Sequence, residues 1–175
     1  MTDIEAVLSG GHPNSLGRTL EVVDAVLADR SLLDDLYECY FSSDEVVRLR
    51  VSGAMKRVTI EQPDWTMDFI EGLQSEVAAI DQASTQWTLA LIFDLLADRL
   101  SPERRSRAVT IMKDNLANHS DWIVLNNSMK VLGSWAKGDP ELARSLQPHA
   151  HRLVDDERKS VASNARKLLD QVSER

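Results

Sequence analysis

Four histidines, one cysteine and several neighbouring acids are the side chains of this 175-residue sequence whose types could do chemistry. His149 and His151 are two apart. On a helix they would point roughly 160–200° away from each other, so they cannot close on one metal as an i, i+4 pair does. His12 falls in the turn Gly10-Gly11-His12-Pro13-Asn14 and His119 beside a helix start, so both read as loop or surface residues. Cys39 sits among Leu36, Tyr37, Tyr40 and Phe41, with no neighbouring cation to lower its pKa. It reads as a small buried apolar side chain. Asp34-Asp35 and Asp155-Asp156 are adjacent pairs whose carboxylates diverge into solvent. Glycine-rich phosphate loops, nucleophile elbows and paired-histidine zinc motifs do not occur. The residue pattern thus supports no catalytic group, no metal ligands and no cofactor.

The chain that must position these residues is 43% hydrophobic and 27% charged, the composition of a folded protein and not of a disordered one. At this length it reads as one domain, 15–175, preceded by a segment 1–14 that forms a short helix or stays disordered. A lone cysteine cannot form an internal disulfide, and the acidic start lacks a signal-peptide pattern, so a cytoplasmic location is expected. No stretch approaches the roughly 20 apolar residues that span a bilayer. The net charge of −8 is confined to residues 1–45, which hold ten acids and two bases, whereas 46–175 hold eighteen of each.

Pro63, Pro102 and Pro140 recur at spacings of 39 and 38, each beside an acid, and a proline and an acid in a first turn mark a helix start. After Asp44, Asp81, Asp121 and Asp156 come apolar stripes whose reference positions are Val47, Thr85, Val124 and Val161, spaced by 38, 39 and 37. Offsets of four, seven and eight from each reference are mostly apolar or small, the stripe of an amphipathic helix. The pattern predicts four helix pairs. First helices are expected near 31–41, 64–78, 102–117 and 140–155, and second helices near 44–59, 82–99, 121–136 and 157–173. An extra helix near 15–28 would cap the N-terminal end. Pro148 lies within a first helix and should kink it.

The run Asp44, Val47, Arg48, Val51, Ala54, Met55 resembles the second-helix pattern of the HEAT-repeat (armadillo-type) family, and a proline inside a first helix is similar to a feature of that family. The resemblance spans about residues 30–173. It is fullest in the first repeat, because Gln86, Leu125 and Ala162 stand where Arg48 does. It implies an all-α superhelix of about four HEAT-like pairs plus a capping helix, with second helices lining a concave binding face. On that face the candidate partner-binding residues are Arg50, Trp87, Asn126, Asn127, Lys130, Asn164 and Lys167, accompanied by Arg48, Lys56, Arg57, Asp94 and Arg166. Arg50, Trp87, Asn127 and Lys130 are expected to form one exposed surface.

Of the other tryptophans, phase puts Trp135 in the core, whereas Trp65 and Trp122, in first turns, are expected to be half-buried. Arg104, Arg105 and Arg107 open a first helix against its dipole, which the surface tolerates or a contact requires.

The function expected is a non-enzymatic scaffold that holds a protein or peptide, acidic in character, along the second-helix face, with no cofactor. The alternative is nucleic-acid binding, similar to the HEAT-like alkylpurine DNA glycosylases, whose basic face carries tryptophan and aspartate one turn apart. Trp135 and Asp139 are the one pair with that spacing, but the phase makes Trp135 core and Asp139 a cap. The acidic balance also opposes phosphate binding.

Overall fold

The computed structural model describes residues 3–13 and 15–173, and no strand occurs among them. The helices are α1 (Ile4–Leu8), α2 (Thr19–Ala28), α3 (Leu32–Glu38), α4 (Glu45–Glu61), α5 (Pro63–Met67), α6 (Ile70–Gly72), α7 (Ala83–Leu95), α8 (Pro102–Asn118), α9 (Trp122–Trp135), α10 (Pro140–Leu153) and α11 (Lys159–Ser173). Chain packing divides them into two compact units, Met1–Arg99 and Leu100–Arg175.

The start signals act as their chemistry requires. Pro63, Pro102 and Pro140 occupy first-turn positions, where a missing N–H costs nothing. The Asp44, Asp121 and Asp139 carboxylates accept from the backbone N–H groups of Val46 (2.8 Å), Ile123 (2.8 Å) and Leu142 (2.9 Å), satisfying donors that have no partner within the helix. Helix α10 runs unbroken through Pro148. Within the segment 1–14, expected as a short helix or disorder, α1 forms and buries Ile4 and Leu8.

One expected helix is not continuous. The span 64–78 is broken into α5, α6 and a wide π-type stretch, Leu73–Val77. Side chains along it answer to separate anchors. Asp68 pairs with Arg30, the Arg30 guanidinium lies 5.8 Å from the Trp65 ring, and Phe69 packs 4.8 Å from the Tyr37 ring. The Tyr37 hydroxyl fills the space beside Gly72, where a Cβ would sit 2.0 Å from it. These contacts accompany the break, and the wide turn that follows Gly72 shifts the phase of the side chains after it.

The reference positions Val47, Thr85, Val124 and Val161 are fully buried. In the first unit α4 packs on α7, and in the second α9 packs on α11, so helices whose starts lie 37 or 38 residues apart share a core in each. Several polar links join residues 34–38 apart, beside others at shorter and longer separations: Arg30 to Asp68, Ser42 to Glu5, Gln82 to the Glu45 carbonyl, Arg99 to Asp64, Asn126 to Ser160, Arg152 to the Leu116 carbonyl and Arg158 to the Ser120 carbonyl.

Candidate partner-binding surface

In the second unit the flank of α9 and α11 that carries the candidate residues is open to solvent. Lys130 stands six residues past Val124 and Lys167 six past Val161, so the same helix phase presents both, and both are exposed. Neither lysine has a hydrogen bond or ion pair among the described residues. Asn126, Asn127 and Asn164 are half-buried beside them. Asn126 Nδ2 lies 3.3 Å from Ser160 Oγ, tying α9 to α11. No acid occurs within α9, and Asp170 is the one acid of α11. Arg166 is exposed and donates to the Val154 carbonyl at 3.1 Å. The flank therefore presents two exposed lysines and an exposed arginine beside half-buried amides.

In the first unit the equivalent flank is different, and the expectation for Arg50 is corrected. Arg50 is 3% exposed and does not belong to a surface. The segment after α1 lies over it. Its Nη1 donates to the carbonyls of Leu8 (2.5 Å) and Gly10 (2.6 Å), its Nη2 to His12 (3.2 Å) and its Nε to Ser15 (3.2 Å). Gly17, at φ +52°, makes room, because a Cβ there would lie 2.7 Å from Arg50 Cζ. Helical phase directed Arg50 to the intended flank, but it could not reveal that another segment of chain covers that flank.

Arg48 is also engaged. Its Nη1 donates to the Ser42 carbonyl (2.7 Å) and its Nε to Gln82 Oε1 (2.6 Å). At the equivalent position Gln86 Nε2 donates to the carbonyls of Ala78 and Ile80, both at 2.9 Å. Six residues separate Arg48 from Ser42 and Gln86 from Ile80, so the glutamine that interrupts the sequence pattern does the arginine's local work. Arg57 donates to the carbonyl of Gly53 at 2.9 Å, and Asp94 is exposed. Trp87 is half-buried, and together with Arg50, Lys56 and Gly53 it lines a hollow of about 170 Å³.

Sequence reasoning missed a depression of about 750 Å³ between α8 and α10. Arg105, Val109 and Lys113 line it from α8, and Leu142, Ser145 and His149 from α10. The arginine cluster at the start of α8 was its one visible trace. Arg105 lies 4.2 Å over the Trp135 ring with Nη2 3.5 Å from the Trp135 carbonyl, and Arg107 pairs with Glu103 at 3.5 Å. Desolvation, then the nearby charges of Lys113 and Arg152, holds the His149 imidazole below its ordinary pKa.

The remaining chemistry-bearing residues fall into place. Trp135 is 7% exposed and Asp139 caps α10, so the tryptophan–aspartate pair is occupied structurally. Trp122 is 50% exposed, more than its first-turn position suggested, whereas Trp65 is half-buried. His119 Nδ1 accepts from the Asp121 N–H at 3.0 Å. Burial, reinforced by Glu5, Asp3, Asp35 and Glu38, pushes the Cys39 thiol up to about 12, far from the thiolate a nucleophile needs. Among the described residues no group of three or more His, Cys, Asp or Glu could hold a metal ion, and no helix is long and apolar enough to cross a membrane. The chain matches no protein-family model and no curated relative.

Proposed function

We propose that this protein is a helical-repeat scaffold of the HEAT or armadillo type, working in the cytoplasm, that holds an acidic protein or peptide segment on the flank of its second helices. The repeat reading draws support from the polar links at 34–38 residues and from the matched roles of Arg48 and Gln86. The binding reading rests on one observation above all. Lys130 and Lys167 repeat in phase on α9 and α11, exposed and without an acid partner among the described residues. Charges that serve only solubility carry no such requirement to lie in register beside half-buried amides. Cations at one pitch complement an extended acidic chain, and neighbouring amides can bond its backbone.

The test is capture of partners from a lysate of the source cells with wild type and with the Lys130→Glu/Lys167→Glu variant. Both positions are exposed, so the variant should fold with an unchanged unfolding midpoint. The reading expects proteins bound by wild type to be lost or strongly reduced with the variant, and an isolated acidic segment of one of them to reproduce the difference. Recovery of the same proteins at the same yield by both would remove this flank from consideration.

A further inference from the structure

The hollow in the first unit is separate from the flank of α9 and α11 and has its own chemistry. It is lined by Arg50, Lys56, Trp87, Leu16, Leu49 and three hydroxyl-bearing residues, and no acidic side chain among the described residues contributes to it. Two cationic residues lining one small space without a carboxylate among the described residues is an unusual arrangement, since charges removed from water are ordinarily paired. Arg50 is almost wholly buried, and the acceptors it has are main-chain carbonyls, which carry partial charge only. Those four bonds occupy four of its five N–H donors, so one is left over. Lys56 is half-buried and has no hydrogen bond or ion pair among the described residues.

Of the hydroxyls, those of Thr19 and Thr88 donate to the carbonyls of Leu16 (2.5 Å) and Ser84 (2.8 Å). The Ser15 oxygen accepts from the Gly17 N–H at 3.1 Å, which leaves its own O–H to donate. The polar side of the hollow is therefore donor-rich, with a buried guanidinium, an ammonium and one hydroxyl.

Beside these donors, Trp87, Leu16 and Leu49 contribute apolar lining, and Leu16 is 51% exposed. At about 170 Å³ the space is comparable to cavities of roughly 150 Å³ that admit benzene. We infer that this hollow is a binding site for a small carboxylate with an apolar body, such as an aryl or short alkyl acid, its carboxylate against Arg50 and Lys56 and its body against Trp87 and Leu49. Such a site would complete the charge pairing that the fold leaves undone.

Phenylacetate is a suitable probe for the intact chain. Titration followed by ¹H–¹⁵N correlation spectra should give saturable shifts at the Gly53 and Thr88 amides and the Trp87 indole N–H. The neutral analogue 2-phenylethanol tests the charge, and inorganic phosphate tests the apolar body. Both should bind at least ~5-fold more weakly than phenylacetate, the effect of about 1 kcal/mol of lost charge pairing or of lost apolar contact. Lys56→Met, a substitution at a half-buried position that keeps the alkyl stem, should weaken phenylacetate by a similar factor while the unfolding midpoint stays within a degree or two. Absence of saturable shifts, equal binding of 2-phenylethanol, or an unchanged affinity in Lys56→Met would each overturn the inference. Phosphate binding as tightly as phenylacetate would overturn the assignment of an apolar body.

Discussion

Helices α4 and α7 in the first unit and α9 and α11 in the second turn the same flank outward from their cores, yet only one unit leaves it open. Three residues past each reference position stand Arg50 and Thr88, both buried, and Asn127 and Asn164, both half-buried. Six residues past stand Gly53 and Leu91, half-buried, and Lys130 and Lys167, exposed. The first unit has spent this flank on holding its own N-terminal segment, gripped through main-chain carbonyls by Arg50. The second carries half-buried amides and two exposed lysines there. One helical phase therefore has two uses, and the difference between them is whether another piece of chain arrives.

The sharpest way to break that comparison is Arg50→Ala. It removes four charge-assisted bonds and the anchor of the segment between α1 and α2, and should cost about 3–5 kcal/mol in denaturant unfolding. Asn127→Ala, at the same offset on α9, should cost less than about 1 kcal/mol. Similar losses at both would mean the two flanks are not used differently.

Next in size is a pair of substitutions two residues apart on α9. Leu132 is fully buried and Leu132→Ala should lose about 2–5 kcal/mol, the transfer cost plus a cavity. Lys130→Ala, on the open flank, should change stability by less than about 0.5 kcal/mol. Gly17→Ala tests the covered flank from the other side. It forces a side chain onto φ +52° and against the Arg50 guanidinium, so a loss of about 1–3 kcal/mol is expected. Alanine tolerated there at no cost would mean that the loop can leave Arg50 freely.

The smallest effect should be the pH dependence carried by His149, between Lys113 on α8 and Arg152 on α10, with Asp114 and Glu141 also lining that groove. Its folded-state pKa is depressed, so the unfolded chain binds the proton first as pH falls. The stability it contributes is fully present above the unfolded value of about 6.5 and is lost as pH drops through the folded one. His149→Gln should flatten the decline of unfolding free energy over that window. An unchanged slope would show that the imidazole titrates as it does in the unfolded chain.

Much of this fold was legible in the residues because its signals are local. Proline and an acid at a first turn, an aspartate cap and an apolar stripe act within one or two turns of helix, and Pro102, Asp121 and Asp139 start their helices as those rules require. The break in the span 64–78 was not legible, since its side chains contact Tyr37 and Arg30, more than 30 residues away in sequence. The 750 Å³ groove was missed for a similar reason. No local pattern states how far apart α8 and α10 stand.

The sequence by itself determined the all-helical class, where most helices start and the direction each side chain takes from its helix. Those follow from backbone geometry, and a residue's phase cannot change without moving the whole stripe out of the core. Only the tertiary structure decided which of those directions end in solvent. Arg50 and Asn127 share a phase, and glycines of the segment after α1 bring carbonyls to the arginine while the asparagine keeps part of its surface. Exposure belongs to the sum of everything that packs nearby, and a single helix cannot carry that information.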